Sequence, residues 1–83
     1  MYQIKLTAQA KKELKKIKLL HQKAIDAVFE DLKENPRLGK PLTRELTGKY
    51  SYKIGVYRLI YSINAKDKII FILTAGHRLT IYK

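Results

Sequence analysis

The chain opens with a short alternating segment followed by a helical pattern. Apolar side chains occupy every second position of residues 2–6, which is typical of a half-buried strand. Thr7 comes next and is a residue type that caps helix N-termini. From Ala8 to about Lys18, apolar residues recur at helical spacing, which predicts an amphipathic helix. Its remaining faces are strongly basic and include Lys11, Lys12, Lys15 and Lys16.

A second helical pattern runs from Leu19 to Glu34. It ends at Asn35-Pro36, because proline disfavours helical geometry in the residue before it. The two helices therefore form a hairpin. Most of the acidic residues of the chain lie on the second helix, namely Asp26, Glu30, Asp31 and Glu34. A carboxylate metal site is one interpretation, but these side chains spread around the helix with no histidine beside them, so a solvated charged face is the better one.

Residues 36–49 are dense in prolines and glycines, which interrupt helices and strands, and they predict a loop. We expect Leu38, Leu42 and Leu46 to hold this loop against the core.

Three strand-like segments follow the loop. Side chains alternate from Tyr50 to Ile54 and from Tyr57 to Ile63. Residues 68–75 are almost continuously apolar, as expected of a strand that is covered on both faces. The order β-α-α-β-β-β predicts an α+β fold, with a small, mainly antiparallel sheet and the helical hairpin packed on one face. The other face of the sheet is then left open to solvent.

Length and composition limit the protein to one small folded unit. The chain has 83 residues, of which 46% are hydrophobic, so we expect a single domain over residues 1–83 whose active site, if it has one, is an open surface. It contains no cysteine and its two histidines are far apart, so we expect no disulfide, no metal and no cofactor. The longest apolar run, Ile69 to Leu73, is too short to cross a membrane, and no apolar signal segment begins the chain. These features predict a cytoplasmic protein with no membrane partner.

The charge of the chain indicates a polyanionic partner. The sequence has 18 Lys and Arg against 7 Asp and Glu, which gives a formal net charge of +11. Residues 1–35 carry 8 basic and 5 acidic side chains, or +3, whereas residues 36–83 carry 10 and 2, or +8. The strand-rich half is therefore the one we expect to face nucleic acid. A soluble protein that is merely basic is the alternative.

The turn between the first two strands of that half predicts a pair of cations. Gly55-Val56 suits a two-residue type II′ hairpin turn, because glycine is favoured at the first central position. This register places Lys53 directly opposite Arg58 on one face of the sheet. Like charges in such positions are destabilising, so the pair is consistent with an anion-binding site. Two solvated surface residues would tolerate the same arrangement.

Further candidate residues follow the last predicted strand. His77 lies at its end, and an imidazole there can transfer protons because it changes its protonation state near neutral pH. A purely structural histidine is the alternative. Arg78 follows directly, and Tyr82 could stack on a nucleotide base, as in the recognition of single-stranded RNA.

These segments together resemble a known family. The run from Tyr52 to Tyr61, followed by Gly76-His77-Arg78 and Ile81-Tyr82, resembles the RelE/ParE superfamily of type II toxins, and in particular its RelE-like branch. The middle loop is also similar to that of the family, through Asn35-Pro36, Lys40-Pro41-Leu42 and Leu46-Thr47-Gly48. The resemblance covers essentially the whole chain, and it rests on the combination of these segments rather than on one motif.

The resemblance implies an endoribonuclease, an mRNA interferase, that enters the ribosomal A site and cleaves mRNA. It also implies a cognate RelB-like antitoxin whose helix wraps the toxin. In such enzymes the ribose 2′-OH attacks the adjacent phosphate without a metal ion. This chemistry requires a base near the 2′-OH, positive charge on the phosphorane and an acid at the leaving oxygen.

The same resemblance assigns roles to individual residues. Arg58 matches an arginine that would stabilise the phosphate, and Lys53 a basic residue that contacts phosphate or assists the base. Arg78 would support the leaving group, and Tyr82 would stack on or orient the nucleotide. His77 stands where some relatives have lysine.

One departure from the family pattern concerns the base. Gly55 stands where the best-known member has a second lysine, so either Lys53 or His77 remains as the candidate base.

Two other functions remain open at this stage. A ParE-like inhibitor of DNA gyrase would share the fold, and a basic RNA-binding module without catalysis would share the charge. Contacts with RNA or the ribosome are expected from Lys11, Lys12, Lys15, Lys16, Arg44 and Lys49. The lysines on the helices are equally well explained as solubilising residues.

Overall fold

The computed structural model describes residues 1–77, without the side chains of Leu46 and His77. The helices are α1 (Ala8–Lys15) and α2 (Leu19–Glu34), and the strands are β1 (Gln3–Leu6), β2 (Lys40–Pro41), β3 (Lys49–Ile54), β4 (Tyr57–Asn64) and β5 (Ile69–His77). Two single 3₁₀ turns, Pro36–Leu38 and Arg44–Leu46, flank β2.

The strands form one mixed sheet in the order β1-β5-β4-β3-β2. β1 runs parallel to β5, and the other neighbouring strands pair antiparallel. Both helices pack on one face, where Ala10 of α1 and Leu32 of α2 join the buried core. The predicted α+β fold is therefore confirmed. We call the sheet face turned away from the helices the open face.

The sheet contributes most of the buried core. Its fully buried side chains come from the helix-facing positions of the two central strands, namely Leu59, Tyr61, Ile70 and Ile72. β5 lies between β1 and β4, so both of its edges are paired. Its continuous apolar sequence was expected to reflect cover on both faces, and this was wrong, because Phe71 and Leu73 are only half-buried.

The helical hairpin largely follows the sequence pattern. Thr7 caps α1 by accepting a hydrogen bond from the Ala10 N–H at 3.1 Å, and α2 has its predicted bounds. α1 ends at Lys15, three residues before the predicted end. The Gln22 side chain holds the connection to α2 by donating to the carbonyl oxygens of Leu14 and Ile17, at 3.2 and 2.6 Å. Neither helix among the described residues is long and apolar enough to cross a membrane.

The middle segment differs most from the prediction. It contains the short edge strand β2, which pairs with β3 and was not expected from the sequence. Leu38 is 43% exposed, so it does not hold this segment to the core, whereas Leu42 is half-buried and the Leu46 side chain lies outside the described residues. The segment is instead attached through the hydroxyl of Tyr61, which donates to the Pro36 carbonyl and accepts from the Gly39 N–H, both at 2.8 Å.

Candidate functional site

The β3–β4 hairpin pairs two cationic residues as predicted. Lys53 lies directly opposite Arg58, next to the Ile54–Tyr57 pair that precedes the turn. Gly55 has a positive φ of 58°, whereas the φ of Val56 is not positive. A positive φ at the first central residue alone fits a type II′ turn, so the short turn fixes this register.

A shallow pocket on the open face surrounds this pair. It has a volume of about 370 Å³ and lies between β2, β3 and β4. Its described lining consists of Leu38, Gly39, Lys40, Ser51, Tyr52, Lys53 and Arg58. Three of these residues are cationic and none is acidic. The lining therefore favours a multiply charged anion such as a phosphodiester chain.

The two paired cations differ in their exposure. The Lys53 side chain is exposed, whereas Arg58 is half-buried. Buried Ser51 and Ile60 form the next cross-strand pair on the same face. On the other side of Arg58, β5 presents Gly76, which has no side chain to crowd the guanidinium. From its half-buried position the Arg58 guanidinium can donate parallel hydrogen bonds, and the exposed Lys53 can act as a flexible point charge.

Lys40 is a pocket residue that sequence analysis did not identify. It pairs with Ser51 across the β2–β3 ladder, which brings it to the side of the pocket opposite β4. A strand of two residues is too short to show an alternation of apolar and polar side chains, and Pro41 favoured the prediction of a loop. Proline on an edge strand was the signal that could have indicated this position.

The end of β5 brings the backbone of His77 near the pair. The backbone of His77 pairs with Tyr57, and the preceding Gly76 pairs with Arg58. His77 is therefore at the end of a strand, as predicted, one position from the Lys53–Arg58 row. Its side chain lies outside the described residues, as do Arg78 and Tyr82.

A carboxylate from α1 supports this end of β5. Glu13 Oε1 accepts hydrogen bonds from the Thr74 hydroxyl at 2.6 Å and from the Ala75 N–H at 3.3 Å. β1 pairs only as far as Ile72, so Glu13 continues the hydrogen bonding of β5 beyond the end of its neighbour. Sequence analysis did not predict this contact, because Glu13 and Thr74 are 61 positions apart.

The remaining predicted RNA contacts lie in different places. Lys49 shares the open face with Lys53, because the two are four positions apart on one strand. Arg44 is exposed in the turn that precedes β3. The predicted helical contacts belong to the opposite layer, where Lys11, Lys12 and Lys15 are exposed on α1 and Lys16 is exposed directly after its end.

Comparisons with known proteins identify the family. Residues 4–82 match the family model described as the ParE toxin of the type II toxin–antitoxin system parDE. Toxin RelG of Mycobacterium tuberculosis is 37% identical over 84 positions, covering 99% of this chain and 97% of RelG. Toxin RelE of the same organism is 32% identical, covering 99% and 87%.

A solved structure agrees with these sequence matches. The toxin–antitoxin complex RelBE2 of M. tuberculosis contains a chain that superposes with a TM-score of 0.85 and 38% identity, covering 93% of this chain and 91% of that chain. The fold is therefore shared over most of both chains. The chain thus belongs to the ParE toxin family of type II toxin–antitoxin systems, within the RelE/ParE superfamily.

Proposed function

We propose that this toxin is a ribosome-dependent endoribonuclease that cleaves mRNA in the A site. The observation that carries the proposal is the Lys53–Arg58 pair, which faces a pocket whose described lining contains a third cation and no acid. Such a pocket attracts the phosphate backbone and can stabilise the additional negative charge of a phosphorane.

The proposed reaction is an attack by the ribose 2′ oxygen on the adjacent phosphorus. The 2′ O–P bond forms and the P–O5′ bond breaks, which leaves a 2′,3′-cyclic phosphate and a 5′-OH. One proton passes from the 2′-OH to a base and another reaches the O5′ oxygen from an acid. Basic side chains carry the phosphorane charge in this proposal.

Arg58 is assigned to the phosphorane and Lys53 to phosphate contact or assistance to the base. The half-buried position of Arg58 supports this division, because a guanidinium held in place costs little reorganisation when charge develops. Lys53 is exposed, and its flexible ammonium can follow the substrate as it enters.

The C-terminal residues complete the proposed set through their resemblance to the family. His77 is the alternative base, Arg78 supports the leaving group, and Tyr82 stacks on or orients the nucleotide. The register of β5 is compatible with these roles, since the strand ends beside Arg58.

A cognate RelB-like antitoxin is the proposed protein partner. The similar M. tuberculosis structure is that of a toxin–antitoxin complex, which supports the assignment. The net charge of +11 favours an acidic antitoxin.

The test is mRNA cleavage in a purified translation system, with and without ribosomes, mapped by primer extension. We expect the wild type to cut mRNA only when ribosomes are present, and Arg58→Ala to lose this activity. Circular dichroism checks that the variant is folded. Arg37→Ala is the matched control, because it removes an exposed arginine that contacts Tyr50 outside the pocket.

The same experiment tests the assignment of the catalytic site and the ribosome dependence separately. Full cleavage by Arg58→Ala would show that the pocket is not the catalytic site. Cleavage that is equal without ribosomes would contradict the ribosome dependence but not the nuclease chemistry.

Inhibition of DNA gyrase is the second candidate, and one observation favours it. The matching family model carries the description of a ParE toxin, the branch associated with gyrase. If the wild type cleaves no mRNA, a supercoiling assay with purified gyrase separates this function from that of a non-catalytic RNA-binding module.

A further inference from the structure

The Tyr61 hydroxyl connects the buried core to the segment that forms one wall of the pocket. Tyr61 has no exposed surface and lies on β4 among the core side chains. Its hydroxyl donates to the Pro36 carbonyl and accepts from the Gly39 N–H, both at 2.8 Å. One side chain therefore satisfies two backbone groups of the segment that follows α2.

Close packing at Gly39 makes this attachment rigid. A Cβ atom at Gly39 would lie 2.5 Å from the Tyr61 hydroxyl and 2.9 Å from the Ser51 carbonyl oxygen. The backbone of Gly39 thus rests directly against the tyrosine and against β3. A tight contact of this kind leaves the segment little freedom to shift.

Lys40 depends on this attachment for its position. It follows Gly39 directly and belongs to β2, a strand of only two residues at the edge of the sheet. Short edge strands have few hydrogen bonds of their own and open easily. The contact that Tyr61 makes one residue earlier therefore limits how far Lys40 can move from the pocket.

We propose that Tyr61 is a positioning residue that holds Lys40 as a third phosphate-binding cation beside Lys53 and Arg58. The ligand is single-stranded RNA, so the proposal rests on the proposed function for the identity of the ligand. Lys40 pairs with Ser51, two positions from Lys53 on β3, which is a displacement of about 7 Å along the strand. Lys40 accordingly contacts a phosphate that flanks the one bound by Lys53 and Arg58.

The test measures RNA binding separately from cleavage. The probe is a short, fluorescent 2′-O-methyl RNA, which cannot be cleaved because it lacks the attacking hydroxyl. Fluorescence anisotropy gives Kd at several salt concentrations for the wild type, Lys40→Met, Tyr61→Phe and the double variant. Lys66→Met controls for the loss of a charge in the distant β4–β5 turn, and Tyr50→Phe for the loss of a tyrosine hydroxyl outside the Gly39 contact.

We expect Lys40→Met to weaken binding about 3- to 10-fold and to lower the slope of log Kd against log salt by about 0.7, the value for one phosphate contact on a single strand. Tyr61→Phe should produce a similar change, and the double variant should bind no more weakly than Lys40→Met alone. The Kd of both control variants should lie within about 2-fold of the wild-type value, since the Lys66 charge acts only at long range.

The outcomes separate this proposal from the proposed function. Wild-type binding by Tyr61→Phe, or additive losses in the double variant, would overturn the positioning role, as would wild-type binding by Lys40→Met. If coupling is observed but no cleavage occurs in the translation assay, the nuclease proposal fails and the positioning role stands. Absence of RNA binding by the wild type overturns the positioning role, whereas the proposed function is decided separately by cleavage in the translation assay.

The proposal remains testable even if Tyr61→Phe lowers the stability of the protein. The assay is run at a temperature at which circular dichroism shows each variant folded. Gly39→Ala provides a second disturbance of the same contact from the loop side and should also lower the salt slope, whereas a structural role alone would lower stability and leave the slope unchanged.

Discussion

Lys53 and Arg58 lie directly opposite each other on β3 and β4, on the face of the sheet turned away from the helices. Opposite side chains on one face of an antiparallel pair have Cβ atoms about 4.5–5.5 Å apart, so the two charges repel. None of the described residues that line their pocket is acidic. The folded protein thus holds two like charges opposite each other, and binding of the proposed RNA phosphate would offset this cost to stability.

Removing one of these charges should therefore stabilise the free protein. We expect Lys53→Gln to raise the free energy of unfolding by about 0.2–0.5 kcal/mol at low salt, with the gain disappearing near 1 M salt as the charges are screened. The same variant should cleave mRNA more slowly. Urea unfolding at two salt concentrations provides the measurement, with Lys66→Gln as the control. A loss of stability in Lys53→Gln would contradict the argument.

The sequence was sufficient to predict the features that depend on local periodicity and turn length. Both helices and the long strands follow from the spacing of apolar residues, although α1 ends earlier than expected. The position of Lys53 opposite Arg58 follows from the two-residue turn alone, because a short turn fixes the register of its strands.

Contacts between distant segments were not predictable in this way. The Glu13 contact with Thr74 spans 61 positions, and the Tyr61 contacts with Pro36 and Gly39 span 25 and 22. The spacing of apolar residues along the sequence does not indicate which polar atoms meet across such sequence separations. Lys40 was missed for the related reason that its strand exists only through pairing with β3.

Glu13 should stabilise the end of β5. Glu13→Ala removes the acceptor of two hydrogen bonds and should lower the free energy of unfolding by about 1–2 kcal/mol. Glu13→Gln should cost less, because its amide oxygen can still accept both bonds. Urea unfolding of the two variants, with Glu34→Ala as the control for an exposed carboxylate, tests this. Equal losses for Ala and Gln would show that the charge, not the acceptor, matters.

Binding of the proposed antitoxin should weaken as salt is added. The net charge of +11 favours an acidic partner, and screening reduces that attraction. Isothermal titration between about 0.05 and 0.5 M salt should show a steady rise in Kd. An affinity that does not change over this range would mean that apolar contacts dominate the complex.

The contact between Gly39 and Tyr61 should appear as coupling between variants. Gly39→Ala places a methyl group 2.5 Å from the tyrosine hydroxyl, and we expect it to cost about 1–3 kcal/mol of stability. Tyr61→Phe removes that nearest atom, so the double variant should lose less than the sum of the two single losses. Gly48 has a φ of 92° and no neighbour within 4 Å of an added Cβ, so Gly48→Ala should combine additively with Tyr61→Phe. Additivity at Gly39 would contradict the crowding argument.

Tyr61 should also make the protein sensitive to alkaline pH. Burial raises the pKa of Tyr61 above its ordinary value of 10.0, and the Gly39 N–H only partly counteracts this. The folded state therefore keeps the neutral phenol, while the Tyr61 phenol of the unfolded chain begins to ionise near pH 10. The contribution of Tyr61 to stability is thus complete below about pH 10 and declines as the pH rises through the pKa of the folded state. The stability of the wild type should fall more steeply than that of Tyr61→Phe above pH 10, by up to about 1.4 kcal/mol per pH unit. Urea unfolding at a series of alkaline pH values measures this difference. Tyr2→Phe, which keeps the buried phenol and its neighbours Tyr50 and Tyr52, should follow the wild type. Parallel profiles for the wild type and Tyr61→Phe would show that the Tyr61 phenol ionises equally readily in both states.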